Sequence, residues 1–271
     1  MSNKVVIAGN GGSILKINYN RLPDDFDTFR CNQFYFEDKY YLGKRVSIAF
    51  FISEIFFEQY YTALMLNSNQ EYEIQNIFCA NLGIDSLQKH FINTFNEFFP
   101  AAQLGYKYIK QNLKEIDIFM KFNEIYKQQR VTSGTYMCAI ATALGYKEIY
   151  LAGIDLYQNG YQYAFNKQQP NIIKLVPEFS HNNKPNGSLH TKEIDIQMLQ
   201  ILQNNYGIKI FSICDDSPIT KYIPLAPKNK QNKIKIENKP SNYTNDILIP
   251  NQQSYQKRIW SKTQTIAITQ Q

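Results

Sequence analysis

Small polar residues recur in this chain where predicted regular elements give out, and their types suit a phosphate or a sugar. Gly9-Asn10-Gly11-Gly12-Ser13 follows one short apolar run, Asn32-Gln33 a second, and Gly153-Ile154-Asp155 with Tyr157 another. A glycine-rich turn lets backbone N–H groups approach a phosphate, and an acceptor such as Asp155 at a strand end suits a ribose or a base edge. Thr132-Ser133 opens a predicted helix, whose N-terminal amides and dipole favour an anion. Together these positions point to a nucleotide. The first turn is neither a complete GxGxxG nor a Walker loop, so it specifies no particular one. For proton transfer near neutral pH the chain offers three histidines, since an imidazole has an unperturbed pKa of about 6.5. His90 lies in the helical stretch Leu87-Gln88-Lys89-His90-Phe91, His181 in the loop-like Ser180-His181-Asn182-Asn183, and His190 in Leu189-His190-Thr191-Lys192. Position alone leaves the choice among them open. Cys31, Cys79, Cys138 and Cys214 stand far apart without a CxxC pair, which predicts buried reduced thiols and neither a disulfide framework nor a zinc site.

The elements that must position these residues alternate between strand and helix patterns, as in an α/β fold with a mostly parallel sheet. Val5 to Ala8, Phe29 to Asn32, Arg45 to Phe51, Ile77 to Ala80, Glu148 to Ala152 and Ile208 to Ile213 read as strands. Ile55 to Leu66 reads as a helix. Thr132 or Ser133 caps a second helix through Tyr136, Ile140 and Leu144, with Gly145 just past its end, and Lys192 to Tyr206 forms a third. Between Tyr157 and Leu189 periodicity disappears while Gln, Asn, Gly and Tyr accumulate, which predicts a long functional loop or lid. The tail after Tyr222 is rich in Asn, Gln and Lys without clear periodicity, and no internal repeat is present.

A length of 271 residues with 44% hydrophobic and 14% aromatic content is enough for one large domain with a sizeable core. The start of the chain runs straight into a strand pattern without a signal-peptide core, so a cytoplasmic location is expected. No apolar run approaches the roughly 18 residues needed to span a bilayer. The formal net charge of +6 is concentrated from Lys221 onward, where nine Lys and Arg face only Glu237 and Asp246, leaving the rest of the chain at −1. A basic tail carrying Arg258, Ile259, Trp260 and Ile266 can rest on the inner face of an anionic membrane. Nucleic-acid binding is not expected, because no recognition helix or aromatic platform accompanies the basic residues.

The strings AGNGGS at 8–13, FRCNQFYFEDKYYLGK at 29–44, FFEQYYT at 56–62, RVTSGTYMCAIA at 130–141 and ALGYKEIYLAGIDLYQNG at 143–160 resemble bacterial lipooligosaccharide sialyltransferases of glycosyltransferase family 42. The match runs in order from about residue 3 to DILIP at 246–250. The resemblance implies a Rossmann-like, GT-A-type nucleotide-sugar-binding domain formed by residues 1–156 and 190–250. It also implies a lid at 157–189 before the catalytic histidine, and leaves a basic tail at 251–271. It implies CMP-sialic acid as donor, a glycan acceptor, no metal or other cofactor, and a homotetramer. His190 matches the family's general base, which takes the proton of the attacking sugar hydroxyl. Tyr157 and Tyr163 match phenols that donate to the leaving phosphate, and Arg130 matches a cation near the donor carboxylate and the base. Asn10, Gly11, Ser13, Asn32, Gln33, Thr132, Ser133, Gly153 and Asp155 match donor-pocket positions. Transfer in a single attack at carbon inverts the anomeric configuration and gives an α-2,3 or α-2,8 linkage.

The chain departs from the family pattern twice. Phe51-Ile52-Ser53 stands where the family has Asn-Pro, so an apolar side chain replaces an amide expected near sialic acid and acceptor; Gly12 replaces a proline in the first turn. Ile52 motivates one alternative, a paralogue that binds CMP-sugar or glycan without transfer. The glycine-rich turn motivates another, a Rossmann oxidoreductase, against which the incomplete dinucleotide fingerprint speaks.

Overall fold

The computed structural model describes residues 2–53, 55–80, 89–158, 163–165, 189–229, 234 and 236–250. Most of the expected lid, including His181, and the tail at 251–271 lie outside the described residues.

Strand β1 (Lys4–Ala8) is followed by β2 (Asp27–Cys31), β3 (Arg45–Val46), β4 (Ile48–Phe51) and helix α1 (Phe56–Ser68). Then come β5 (Glu73–Ile74), β6 (Ile77–Cys79), α2 (Lys89–Phe98), β7 (Ala102–Leu104), α3 (Gly105–Asn112) and α4 (Lys114–Lys127). The chain continues through α5 (Ser133–Ala143), β8 (Glu148–Ala152), α6 (Lys192–Tyr206) and β9 (Lys209–Ser212). Seven strands form one parallel sheet in the order β7-β6-β4-β2-β1-β8-β9. After β1 the chain works outward on one side through β2, β4, β6 and β7, then crosses back to lay β8 on the other side of β1. The strand order therefore reverses between β1 and β8. In an open parallel sheet that reversal parts the loops at the strands' carboxyl ends and leaves a crevice there.

The central strands are near-continuous apolar runs because both faces are covered: Val5, Val6, Ile7 and Ala8 of β1 are fully buried. Helix α5 packs on β1 and β2 and touches α3 and α6. Every residue from Gly134 to Ala141 is buried, which accounts for a helix that is apolar all round. It ends in a Schellman motif: Gly145, at φ +97°, donates to Thr142 O at 3.0 Å, and Tyr146 donates to Ala141 O at 3.1 Å. The opposite face carries an aromatic cluster that includes Phe34, Phe36, Phe51, Phe56, Phe95 and Phe165.

Arg45 to Phe51, read from sequence as one strand, is two strands in two sheets. The break is at Ser47, whose N–H donates to Thr28 O (2.8 Å) and whose Oγ donates to Asp27 Oδ1 (3.0 Å), while Asn76 Nδ2 donates to its carbonyl (3.1 Å). β3 then pairs with β5, and β4 joins the main sheet. Residues 236–250 have no periodicity but dock on the core: Lys239 Nζ donates to Tyr35 O (2.9 Å) and Tyr243 Oη to Phe36 O (3.0 Å). Among the described residues no helix is long and apolar enough to cross a membrane, and the four cysteines are buried and unbonded to one another.

Candidate active site

The turn after β1 is sewn to the turn after β8. Gly9 N donates to Ala152 O and Gly11 N to Gly153 O, both at 2.9 Å, and Ser13 N donates to Asp155 Oδ2 at 2.9 Å. A Cβ on Gly9 would lie 2.5 Å from Gly153 O, and one on Gly153, which sits at φ +61°, would lie 2.6 Å from Gly9 O. Only glycine at both positions lets the two turns meet. Asp155 accepts a second bond, from Ser217 Oγ at 3.0 Å, so its carboxylate fastens the turns while keeping lone pairs for a ligand. Ser217 was missed by sequence reasoning. It follows β9, and inspecting the strand ends one strand further would have reached it.

Asn10 donates through Nδ2 to Cys31 O at 3.1 Å, and its Oδ1 is buried without a protein partner among the described residues. Asn32 takes the left-handed conformation, φ 50°, as β2 ends. Its N–H donates to Phe50 O (2.9 Å), its Nδ2 to Ser133 Oγ (3.1 Å), and its Oδ1 accepts from Ile52 N (3.2 Å). One side chain thus ties together β2, β4 and the start of α5. Ile52 keeps this backbone bond, and its half-buried side chain packs against the aromatic cluster.

A cleft open to solvent sits where the strand order reverses. Asn10, Gly11, Asn32, Thr132, Ser133, Gly153, Asp155, Tyr157 and Tyr163 line it, joined by Gly9, Cys31, Gly134, Ile154 and Leu156. Ser13 lies behind the wall, contributing its N–H to Asp155. Gln33 is also off the wall; it is buried and its carbonyl accepts from Phe36 N. Burial lifts the Cys31 thiol to about 12, so it is an inert part of the wall.

Leu156 and Tyr157 are consecutive residues at φ 50° and 55°. Left-handed geometry in two side-chain-bearing residues stores strain, on the order of 1–2 kcal/mol each, and Leu156 is anchored in the core beside Ile154. The Tyr157 phenol is held well above its ordinary pKa of 10 by burial, with contributions from Tyr163 and Asp195 and a hydrogen bond with Tyr163. It therefore stays protonated, as a donor. Tyr163 is pinned to the first turn by a bridge with Gly11 and by Ala164 N donating to Asn10 O (2.8 Å), and its ring stacks on Phe165 at 5.3 Å.

His190 stacks on Tyr157, ring centroids 6.2 Å apart and planes 20° from parallel. Its Nδ1 is 2.7 Å from Arg130 O. A carbonyl can only accept, so Nδ1 carries the proton and Nε2 is the basic nitrogen. Arg130 N in turn donates to Leu189 O at 2.7 Å, while its guanidinium pairs with Glu124 Oε1 of α4 at 2.6 Å. Glu124 was also missed, since nothing in its local sequence marks it. Among the described residues no group of three or more His, Cys, Asp or Glu is arranged to hold a metal ion. The cleft thus combines a helix N-terminus, backbone amides and phenol donors, and a basic imidazole stacks on one of its tyrosines, a set suited to binding a phosphate-linked sugar and accepting one proton.

A family profile for alpha-2,3-sialyltransferase (CST-I) matches residues 3–268. The sialyltransferase CstII from Campylobacter jejuni, solved with the substrate analogue CMP-3FNeuAc, is 52% identical with a TM-score of 0.83, covering 94% of this chain and 97% of that one. The monofunctional alpha-2,3-sialyltransferase Cst-I from the same organism is 46% identical, TM-score 0.83, covering 97% and 95%. CstII has also been solved with a trisaccharide acceptor and CMP; that chain is 50% identical, TM-score 0.80, with coverage of 94% and 98%. A Haemophilus influenzae protein is 42% identical over 204 residues, 73% of this chain and 86% of its own length. With its parallel sheet, its cleft at the strand reversal and similarity along nearly its whole length, the chain belongs to the alpha-2,3-sialyltransferase (CST-I) family of CMP-sialic acid-dependent glycosyltransferases.

Proposed function

We propose that the chain moves sialic acid from CMP-sialic acid to a galactose or sialic acid hydroxyl of lipooligosaccharide, in one inverting displacement that needs no metal. The observation that carries this reading is the His190 tautomer: the Nδ1–H bond to Arg130 O makes Nε2 the base, on a ring stacked against a cleft-lining tyrosine. The acceptor hydroxyl gives its proton to Nε2 as its oxygen bonds to the anomeric carbon, and the phosphate oxygen leaves with the electron pair of the glycosidic bond. Tyr157 and Tyr163 donate hydrogen bonds to that oxygen as it gains charge, a contribution of about 3 kcal/mol for each well-aimed donor. Arg130, its guanidinium paired with Glu124 and its carbonyl on His190, is assigned to the donor carboxylate by the family match. The N-terminus of α5 offers the Ser133 amide to the phosphate beside the Thr132 side chain, while Asn10, with its unsatisfied Oδ1, takes a donor group of the ligand. Gly11, Asn32, Gly153 and Asp155 complete the donor pocket, with Ser13 bracing Asp155 from behind the wall and Gln33 buried off it. The same reading includes a lid at 157–189, a homotetramer, and a cytoplasmic enzyme whose basic tail at 251–271 rests on the membrane.

The test is product analysis. CMP-sialic acid and a lactose-type acceptor should give sialylated product with the anomeric configuration opposite to the donor, seen by NMR, at a rate unchanged by EDTA. Retained configuration, or loss of activity restored by a divalent cation, contradicts it.

A further inference from the structure

A fully buried carboxylate ties the segment holding the base to the helix that opens onto the cleft. Asp195 lies in α6, five residues after His190, and is 0% exposed. Its Oδ1 accepts from Thr132 N at 2.8 Å, and Thr132 is the N-cap of α5. The remaining links close a ring. Thr191 caps α6, its Oγ1 accepting from Ile194 N at 3.4 Å; His190 Nδ1 bonds Arg130 O at 2.7 Å; and Arg130 N bonds Leu189 O at 2.7 Å. Arg130, Val131 and Thr132 return the path to Asp195. The imidazole is thus fixed to α5 from two sides, and α5 carries the Thr132, Ser133 and Gly134 backbone that lines the cleft.

A residue of this burial is a costly choice for packing alone. Moving a carboxylate out of water costs several kcal/mol unless hydrogen bonds replace its hydration, and an apolar side chain would fill the space without that cost. The hydrogen bonds that favour its charged form come from Thr132 and Thr135, both at the start of α5.

We infer that Asp195 is a positioning residue for transfer: by holding the Thr132 N–H it sets the distance between the donor's seat at the α5 N-terminus and the basic Nε2 of His190. The inference rests on the proposed function and concerns alignment, so its loss acts on turnover more than on nucleotide affinity. Asn keeps an oxygen for Thr132 N–H, whereas Ala and Ser leave that N–H without it.

The experiment measures kcat for acceptor-dependent CMP release, CMP affinity by calorimetry and thermal midpoint for the full chain and for Asp195→Asn, Asp195→Ala and Asp195→Ser. The expected result is kcat within about threefold of the parent for Asn, and at least about tenfold lower for a folded Ala or Ser variant that still binds CMP within about threefold, a spread on the order of one decade per 1.4 kcal/mol of misalignment. Folded Ala and Ser variants with parental kcat overturn the inference, as does an Asn variant that folds and binds CMP but loses turnover. Failure of both Ala and Ser to fold makes Asp195 a folding residue and overturns it as well. A parent chain that releases no CMP removes the proposed function itself, whereas normal turnover in every variant removes only the inference.

Discussion

At the scale of single residues, the site works by fixing protonation states and directions. Tyr157 is aimed by two left-handed residues and kept protonated by burial, so Tyr157→Phe should lower kcat about 100-fold with little change in CMP affinity; steady-state kinetics beside calorimetry checks this. Asp195 is the buried acid, lifted by burial from 3.8 to about 7. Because the folded state prefers its proton, its contribution to stability is complete below about pH 4 and is lost as pH rises through about 7. At about 1.4 kcal/mol per unit, Asp195→Asn should gain about 2–3 kcal/mol over the parent in denaturant unfolding between about pH 5 and pH 8. A constant difference across that range contradicts the sign. The strand-end positions Asn10, Asn32 and Asp155 were legible in sequence because a parallel sheet gathers the residues after its strands. Ser217, Glu124 and Asp195 were not, since each reaches the site from an element whose place in the fold only tertiary packing decides.

At the scale of elements, β1 and β8 carry the site by meeting at the sheet's reversal, and Gly9 with Gly153 lets their turns touch. A Gly9→Ala side chain would sit 2.5 Å from a backbone carbonyl, which cannot swing aside as a side chain can. Overpacking of this kind costs about 1–3 kcal/mol. The variant should therefore unfold at lower denaturant and bind CMP more weakly, both read in one titration; an unchanged midpoint and affinity would mean that the turns need not touch. Strands β1 and β8 and helices α5 and α6 were readable because they are long, strongly periodic or capped: Gly145 marks the end of α5, and Thr191 opens α6. Helix α4 was not, and its composition explains why. Ile118, Phe122, Ile125 and Tyr126 are more than half exposed, so apolar residues stand on its outer face as well as its inner one and blur the period. The three-residue strands β6 and β7 are too short for alternation, and only the apolar content of the first betrayed it.

At the scale of the whole molecule, the parallel sheet supplies a rigid floor and the chain's later segments complete the walls. Not every lysine in the basic count from Lys221 onward is solvated. Lys239 is half-buried and its amine lies among the rings of Tyr40, Tyr72 and Tyr243 at 5.4, 4.8 and 5.0 Å, where burial pushes its pKa down to about 7. The segment it anchors docks on Tyr35 and Phe36, and Phe36 packs on Phe165, the ring against which cleft-lining Tyr163 stacks. The end of the described chain thus backs the wall of the site. The measurement that bears most directly on the central claim is CMP release from CMP-sialic acid, with and without a lactose-type acceptor, by the parent chain and by His190→Ala in metal-free buffer. Acceptor-stimulated release that falls by at least about 100-fold in the variant, with CMP affinity kept, is the predicted result; equal release by the two folded proteins would show that His190 is not the base.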